Sequence, residues 1–367
     1  MKITLLIRGL GVGGAERQIE LLAKGLHTRG HDVTLLLFYD GGERAARLIA
    51  DGVKVRSLRK YGRWDTLGFT TRLLRELRAA APDVLYTFLG SSNLLAGLLK
   101  PALRCKTVWS IRASALDMGS YDRLANVTAW GEARLSRSAN RIVSNSEAGQ
   151  RDAIARGFPA SKIIVIPNGI DTERFRPDAA ARMRFRDAQH LADGTIAVGL
   201  VGRFDPMKGH PVFLQAICLL VIRAPRLRFF CIGGGDDAYR SQLQNEAAAM
   251  RIDDKIRWLP PATDMVAVYN GLDLLCSASI FGEGFPNVIG EAMSCGLTCV
   301  GTDVGDSPKI IGDQALIAQA GDAAALATVI ETGLEARHSS LAVRARIEDN
   351  FSLDTMIART EAVLAAG

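Results

Sequence analysis

Short apolar runs alternate with longer amphipathic segments along most of the chain. In the first half the runs predict strands at residues 3–7, 33–38, 84–88, 107–111, 141–144 and 163–166. Amphipathic segments between them, such as 15–28 and 71–80, predict helices. Continuous apolar strands that alternate with helices are typical of βα units around a buried parallel sheet.

This rhythm is interrupted once, at residues 171–193, where charge is high and no apolar period persists, which predicts a linker followed by a polar helix. Strands are predicted again at 196–201, 227–232, 256–259, 272–276, 298–301 and 315–317. The pattern predicts an α/β protein with two Rossmann-like, doubly wound domains, residues 1–175 and 176–352. The final segment, residues 353–367, has helical spacing and could pack back onto either domain, and we assign it to the first.

Composition fits an ordinary globular protein, with 367 residues of which 48% are hydrophobic and 23% are charged. The N-terminal apolar run is too short for a signal peptide, and no apolar stretch approaches the roughly 20 residues that span a bilayer. The six cysteines form no CxxC pair, which indicates buried apolar side chains in a reducing compartment. We therefore expect a cytoplasmic protein.

Charge is unevenly distributed: residues 1–180 carry a net +11 and the remainder −5. This asymmetry suggests that the first domain faces anionic partners, either phosphate groups or an acidic lipid surface. The alternative is a surface that is merely rich in arginine. The excess includes a basic cluster of Arg56, Arg59, Lys60 and Arg63 beside Tyr61 and Trp64.

A glycine motif follows the first predicted strand. Gly9, Gly11 and Gly14 fit GxGxxG, and Asp40 ends the second predicted strand, an arrangement found in dinucleotide-binding domains. An NAD(P)-dependent oxidoreductase is therefore one hypothesis. The other is that these glycines only close a tight βα turn.

Two cations follow the first strand of the second half, in VGRFDPMKGH. Arg203 and Lys208 are separated by Pro206 and are expected to converge where the strand ends, which would suit a diphosphate. The alternative is that both are solvated surface residues.

Two glutamates occur in FGEGFPNVIGEAMSCG. Pro286 and Gly296 predict the start and the stop of a helix, so that Glu283 precedes the helix and Glu291 lies in its second turn. Carboxylates at different depths suit hydrogen bonds from sugar hydroxyls, whereas the paired acids of a hydrolase must flank one bond. The backbone amides of Phe285, Asn287 and Val288, at the start of this helix, would bind anionic oxygens.

The five histidines are scattered, and the two that lie close together, His27 and His31, fall at the end of the first predicted helix, where capping or solvation explains them. No DxD occurs near a strand end. We expect no metal and no other cofactor.

Together these residues resemble the retaining glycosyltransferases of family 4, which have the GT-B fold, two Rossmann-like domains facing each other across a cleft. The resemblance covers most of the chain and rests on GGAER (13–17), VSNSE (143–147), PNGID (167–171), VGRFDPMKG (201–209) and EGFPNVIGEAMSCG (283–296). The segment CVGTDVGD (299–306) resembles members that build bacterial surface polysaccharides.

The resemblance implies roles for these residues. Arg203 and Lys208 would neutralise the leaving diphosphate, Glu283 would hold a sugar hydroxyl, and Glu291 would hold the ribose. The nucleotide base would lie against the segment after Ile256. The implied catalytic set is Arg203, Lys208 and Glu283, and the implied donor-binding set is Gly13, Gly14, Gly202, Arg203, Lys208, Glu283, Gly284, Phe285, Asn287, Val288 and Glu291.

One departure concerns the acceptor side. Many family members have a histidine after the fourth strand of the first domain, whereas WSIRAS here offers Ser110, Arg112 and Ser114. Arg112 would take that role or bind an acceptor phosphate, and Asn145 is a second candidate for acceptor binding.

The resemblance thus implies transfer from a UDP- or GDP-sugar to a saccharide or polyprenyl-diphosphate-linked acceptor in bacterial polysaccharide or glycoconjugate biosynthesis. The expected location is the cytoplasm, with peripheral contact at the inner face of the membrane, and no nucleic-acid partner is expected. An oxidoreductase, a sugar-nucleotide epimerase or phosphorylase of the same fold, and a non-enzymatic binding module are the alternatives.

Overall fold

The computed structural model describes residues 1–11, 13–62, 64–112, 123–336 and 339–366. The chain divides into two compact units. Unit 1 comprises Met1–Gly169 and the C-terminal segment from Leu353 onward, and unit 2 comprises Ile170–Ser352. The boundary therefore lies after Gly169, whereas the sequence pattern placed it after residue 175.

In the described part of unit 1, seven strands form one sheet in the order β3-β2-β1-β4-β5-β6-β7. The strands are Lys2–Ile7 (β1), Asp32–Leu37 (β2), Lys54–Ser57 (β3), Val84–Phe88 (β4), Lys106–Ile111 (β5), Arg141–Ser144 (β6) and Ile163–Val165 (β7). The helices are Gly14–Thr28 (α1), Gly42–Ala50 (α2), Leu67–Ala80 (α3), Gly90–Leu99 (α4), Arg123–Leu135 (α5), Glu147–Ala155 (α6) and, at the C-terminus, Leu353–Ala365 (α15).

The described part of unit 2 has a second sheet, in the order β10-β9-β8-β11-β12-β13. Its strands are Ile196–Val201 (β8), Leu227–Ile232 (β9), Ile256–Leu259 (β10), Leu274–Ser277 (β11), Cys299–Thr302 (β12) and Ile317–Ala318 (β13). Its helices are Ala179–Ala188 (α7), His210–Val221 (α8), Asp237–Ala249 (α9), Met265–Gly271 (α10), Asn287–Ser294 (α11), Ser307–Ile311 (α12), Ala323–Glu335 (α13) and Ser340–Phe351 (α14).

All of the strand pairings in both sheets are parallel. Strand order reverses between β1 and β4 in unit 1 and between β8 and β11 in unit 2. In open α/β sheets, ligands bind outside the carboxyl ends of the strands at such switch points. Both units therefore offer a candidate site at this edge.

The C-terminal helix belongs to unit 1, as assigned from the sequence. Met356, Ile357 and Leu364 on α15 are buried in the same apolar cluster as α1. Glu361 on α15 also accepts hydrogen bonds from Arg29 at 2.9 Å and from His31 at 2.7 Å. The helix is thus fixed by both apolar packing and ion pairs.

The segment predicted to be a linker is anchored in the core of unit 2 by a few of its residues. Phe175, Ala181 and Phe185, together with Ile170 just before the segment, are buried in the main apolar cluster of this unit. The carbonyl oxygen of Phe175 accepts hydrogen bonds from Ser294 Oγ at 2.6 Å and from Arg344 Nη1 at 2.9 Å. These contacts explain why the boundary falls earlier than the charged sequence suggested.

Within the described residues, no helix combines the length and apolar character needed to cross a bilayer. All six cysteines are free thiols, and four of them are buried.

Candidate functional site

The loop after β8 contains a short turn, Pro206–Lys208, that positions Lys208. Asp205 caps this turn, because its Oδ1 accepts a hydrogen bond from the amide of Met207 at 3.1 Å. Gly209, the next residue, has φ of +66°, and a Cβ there would lie 1.9 Å from the carbonyl oxygen of Ala278. Only glycine fits this conformation and this contact, so the path of the chain beside Lys208 is fixed.

Lys208 forms an ion pair with Glu283 on the far side of the switch point. Its Nζ donates to Glu283 Oε1, which also accepts a hydrogen bond from Ser279 Oγ at 2.8 Å. Both charged side chains are largely buried. The loops after β8 and β11 therefore bring together a cation and a carboxylate that are 75 residues apart in sequence.

The loop after β12 fixes the backbone of Glu283. Gly305 has φ of +63°, and a Cβ there would lie 2.6 Å from the carbonyl oxygen of Glu283. The amide of Asp306 donates to the carbonyl of Gly284 at 2.9 Å. Phe285, which follows, is buried and packs edge-on against Phe351 at 5.4 Å between ring centroids.

Glu291 lies in the second turn of α11, as predicted, and is buried. Its Oε2 accepts a hydrogen bond from Tyr269 Oη at 2.9 Å. Asn287 and Val288 form the first turn of this helix after Pro286, and Gly296 follows its end with φ of +78°. Glu283 thus lies on the loop before α11, and Glu291 lies within the helix.

Arg203 is placed differently from Lys208. Its side chain is mostly exposed and lies 3.5 Å from Asp205 Oδ2. It lines an open cavity of about 490 Å³ together with Phe204, Gly235 and Tyr239, and Lys208 is not among the lining residues. The amide of Gly202, the residue directly after β8, donates to the carbonyl of Ile232 at 3.0 Å.

His210, the first residue of α8, is fully buried against Phe204, with 5.1 Å between ring centroids. Neither ring nitrogen has a hydrogen-bond partner among the described residues. Burial, together with the Lys208 cation, lowers the pKa of His210 to about 4. The imidazole is therefore a neutral core residue at physiological pH.

Gly9 and Gly11, after β1, have open space around them. A Cβ on either glycine would meet no described atom within 4 Å. Gly13 precedes α1 and Gly14 is its first residue. Asp40 is exposed beyond the end of β2. Contacts within the described protein therefore do not require glycine at position 9 or 11.

The acceptor-side candidates lie at the carboxyl edge of the first sheet. Arg112 follows β5 and donates to Ser110 Oγ, to Asn168 Oδ1 at 3.0 Å and to Tyr86 Oη at 3.1 Å. Asn145 follows β6 and is buried. Ser114 lies outside the described residues.

The basic cluster is also at the surface of unit 1. Tyr61 and Trp64 are exposed to 72% and 88%. Arg56 makes a 3.5 Å ion pair with Glu76, and Arg63 lies outside the described residues. Large exposed aromatic side chains beside cations are typical of a surface that meets a partner.

Among the described residues, no three His, Cys, Asp or Glu side chains cluster in a way that could hold a metal ion. Metal independence stays a prediction.

Sequence reasoning missed Ser279 and Tyr269, the hydroxyl donors to the two glutamates. Neither belongs to a motif, and each meets its glutamate only through tertiary contacts.

Two parallel, doubly wound sheets, with a buried cation–carboxylate pair at the switch point of the second, define an α/β protein of the GT-B class. Residues 12–174 match the family model described as Glycosyltransferase Family 4, and residues 195–336 match the one described as Glycosyl transferases group 1. The chain belongs to the family 4 glycosyltransferases, as its motifs suggested.

Individual relatives agree with this assignment. The D-inositol 3-phosphate glycosyltransferase of Saccharomonospora viridis is 33% identical over 196 residues, which are 50% of this chain and 44% of that protein. The chain thus spans about half the length of the curated relatives it matches.

Solved structures share the fold over the whole chain. The crystal structure of Anabaena HepE in complex with UDP and glucose matches with a TM-score of 0.88 at 21% identity, over 100% of both chains. That of WaaG, a glycosyltransferase involved in lipopolysaccharide biosynthesis, matches with a TM-score of 0.74 at 14% identity, also over 100% of both chains.

Proposed function

We propose that this protein transfers a sugar, with retention of anomeric configuration, from a nucleotide diphosphate donor to a saccharide or polyprenyl-diphosphate-linked acceptor. The observation that carries the proposal is the buried pair of Lys208 and Glu283 at the switch point of the second sheet. A nucleotide sugar presents a diphosphate and a hydroxylated ring side by side, and an adjacent cation and carboxylate complement both.

Stabilising the leaving diphosphate is the main catalytic task in such a transfer. Lys208 is held by the turn that ends at Gly209, so its charge is already in place when negative charge develops. Arg203 is exposed and has only a long contact to Asp205, which leaves it able to turn toward a phosphate. Glu283, held by Ser279, would accept a hydrogen bond from a sugar hydroxyl.

Glu291 is proposed to bind the ribose hydroxyls. Tyr269 donates to one of its oxygens, which orients the carboxylate. The carboxylate of Glu291 is proposed to accept hydrogen bonds from the ribose hydroxyls of the nucleotide. Tyr269 is in this proposal a positioning residue.

Retention is proposed to follow a front-side route, because no carboxylate in the described site is an evident nucleophile. The bond from the anomeric carbon to the phosphate oxygen breaks, and the acceptor oxygen bonds to that carbon on the same face. The acceptor proton passes to the departing diphosphate. Trapping a covalent glycosyl-enzyme would overturn this route.

The donor and the pathway are proposed from the relatives. HepE is described in complex with UDP and glucose, and WaaG as involved in lipopolysaccharide biosynthesis. We propose a UDP- or GDP-sugar, no metal requirement and a role in bacterial polysaccharide or glycoconjugate synthesis. No feature of the described site favours an epimerase or an oxidoreductase.

The basic cluster is proposed to contact anionic membrane from the cytoplasmic side, where a lipid-linked acceptor would lie. Exposed Tyr61 and Trp64 would enter the interface and the neighbouring cations would meet acidic headgroups. Binding to vesicles with anionic lipid should weaken as salt rises. No binding to such vesicles at any salt concentration would exclude this contact.

A thermal-shift panel tests the donor proposal. The protein would be heated with UDP, GDP, ADP, NAD or NADP in the presence of EDTA. A rise in unfolding temperature with one nucleoside diphosphate supports the donor site and identifies the base. A rise only with NAD or NADP would contradict it, and a response that required added Mg²⁺ would contradict metal independence.

A further inference from the structure

The amino edge of the first sheet, where its strands begin, is basic at one end. Residues 98–107, 134–141 and 157–163 are the segments that lead into β5, β6 and β7. Together they carry seven Lys or Arg residues and no Asp or Glu. At the other end of the same edge, Lys54, which begins β3, pairs with Asp32 at 2.7 Å. The two ends of this edge therefore differ in how their charge is balanced within the local sequence.

Three of the cations meet at the turn before β6. Lys100, which follows α4, donates through Nζ to Asn140 Oδ1 at 3.0 Å. Lys162, which precedes β7, donates to the carbonyl of Ala139 at 2.8 Å. Arg141, the first residue of β6, donates to the carbonyl of Asn140 at 3.3 Å. Segments that are distant in sequence thus bring three positive charges to one short turn.

The other described bonds of the two lysines are also made to neutral oxygens. Lys100 contacts the carbonyl oxygen of Cys105 at 3.4 Å and Thr107 Oγ1 at 3.3 Å, and Lys162 donates to the carbonyl of Arg137 at 2.6 Å. Burial lowers the pKa of Lys100, and the charge of Lys162 also acts to lower it. The two ammonium groups therefore repel each other, and an anion bound beside both would relieve this repulsion.

The same three cations still have N–H groups to offer. An ammonium group has three donors and a guanidinium group has five. The described bonds use two donors of Lys162 and one of Arg141. Phosphate oxygens accept strong, charge-assisted hydrogen bonds from both kinds of cation, and a phosphate group offers more oxygens and more charge than a carboxylate. The turn before β6 is therefore suited to a phosphate or diphosphate group.

This turn lies far from the edge that carries the candidate site residues of unit 1. Strand β5 runs from Lys106 to Ile111, and six residues in extended conformation span roughly 20 Å. Lys100 lies before the amino end of this strand, whereas Arg112 follows its carboxyl end. A small ligand at the turn before β6 therefore does not reach Arg112.

We propose that the turn before β6, with Lys100, Arg141 and Lys162, is a second anion site that binds a phosphate or diphosphate group. Such a group can belong to a soluble phosphorylated molecule or to a lipid headgroup, which share this chemistry. The site takes no part in the transfer step, so the inference goes beyond the proposed function and does not depend on it.

Hydrogen exchange followed by mass spectrometry tests the site on the full chain, because it locates where a probe binds. Inorganic pyrophosphate represents the soluble source. Vesicles of phosphatidylglycerol and phosphatidylcholine represent the lipid source, with pure phosphatidylcholine as the neutral comparison. At least one of the two anionic probes should slow exchange of the amides in residues 134–141. The dependence of this protection on probe concentration gives the affinity of the site.

The double variant Lys100→Gln, Lys162→Gln should weaken that affinity by roughly 10-fold or more, since charge-assisted hydrogen bonds are lost. The matched control is Lys54→Gln, which removes a lysine from the same edge of the same sheet. Because Lys54 is paired with Asp32, this variant should bind as wild type.

A second variant covers the case in which the double variant does not fold. Arg141→Glu keeps both lysines and their bonds to backbone carbonyls, and it places a carboxylate beside them. This internal anion should compete with the probe and abolish the protection of residues 134–141.

The outcomes separate the two sources and the two sites. Protection by pyrophosphate supports a soluble ligand, and protection by the anionic vesicles alone supports a headgroup. No protection of residues 134–141 by either anionic probe, or equal protection in Arg141→Glu, would overturn the site. Exchange of residues 203–209 with UDP or GDP reports the donor site in the same chain. Protection there without protection at 134–141 leaves the proposed function standing and removes this inference.

Discussion

The carboxyl edges of the two sheets share the same strand topology, but the cation at each edge has different partners. In unit 2 the cation Lys208 is paired with Glu283, and glycine at 209 is demanded by a backbone contact. In unit 1 the described partners of the cation Arg112 are the neutral oxygens of Ser110, Asn168 and Tyr86, and Gly9 and Gly11 are uncrowded. A shared fold thus supplies the edge, while the loops decide which partners the cations at that edge meet.

The largest expected effect is loss of transfer in Lys208→Ala. Removing one preorganised cation at a site of developing charge costs on the order of 10² to 10³ in rate. The assay is release of the nucleoside diphosphate from the donor that the thermal-shift panel identifies. The control is Lys255→Ala, which removes a lysine of unit 2 whose ion pair is with the exposed Asp254.

The same substitution removes the cation from a buried pair, so it is also expected to lower the free energy of unfolding by about 3 kcal/mol. The double variant Lys208→Ala, Glu283→Gln should recover most of that stability and none of the activity. Recovery of activity in the double variant would show that Lys208 only neutralises Glu283.

Substitutions of loop glycines test directly whether the two loops differ in their need for glycine. Gly209→Ala would place a Cβ against the carbonyl oxygen of Ala278 at a positive φ, and should cost more than about 3 kcal/mol. Gly9→Ala and Gly11→Ala meet no atom and should change stability by less than about 1 kcal/mol. Urea unfolding measures both. A large loss at Gly9 or Gly11 would reinstate a tightly packed glycine loop in unit 1.

His210 predicts a pH-dependent loss of stability that originates in unit 2. Its pKa is about 4 in the folded protein, below the ordinary histidine value of 6.5, so the unfolded state binds the proton more readily. The contribution of neutral His210 to the free energy of unfolding is therefore complete above pH 6.5. As the pH falls toward 4, the free energy of unfolding decreases by at most about 3 kcal/mol for this reason. Unfolding of His210→Phe should depend less on pH across this range, and an unchanged slope would contradict the prediction.

The smallest effect is expected for Tyr269→Phe. Loss of the hydrogen bond to Glu291 should weaken binding of the nucleoside diphosphate about 3- to 10-fold. Glu291→Gln should also remove the preference for a ribonucleotide over its 2′-deoxy form. A Tyr269→Phe variant with full affinity would show that Glu291 does not need this orientation.

Most strands were predictable because each is a continuous apolar run buried on both faces. Val84–Phe88 and Leu227–Ile232 were located to the residue. Lys54–Ser57 was missed because it is an edge strand, with charged residues in a short run that is only partly buried. The sequence pattern placed the domain boundary after residue 175, whereas the structure places it after Gly169. The pattern did not locate it because the place of Phe175 in unit 2 depends on distant partners, Ser294 and Arg344.

The sequence by itself determined the order of the βα units, the two-domain α/β class and the family. It also supplied the candidate residues Lys208, Glu283, Glu291 and Arg112, since all of these depend on local periodicity and short motifs. Tertiary structure alone decided that Lys208 pairs with Glu283, that Ser279 and Tyr269 orient the glutamates, and that the described partners of Arg112 are neutral oxygens. The physical reason is that ion pairs, hydrogen bonds and burial of these side chains depend on which loops lie next to each other at the edge of a sheet. The local spacing of residues in the sequence does not specify which loops these are.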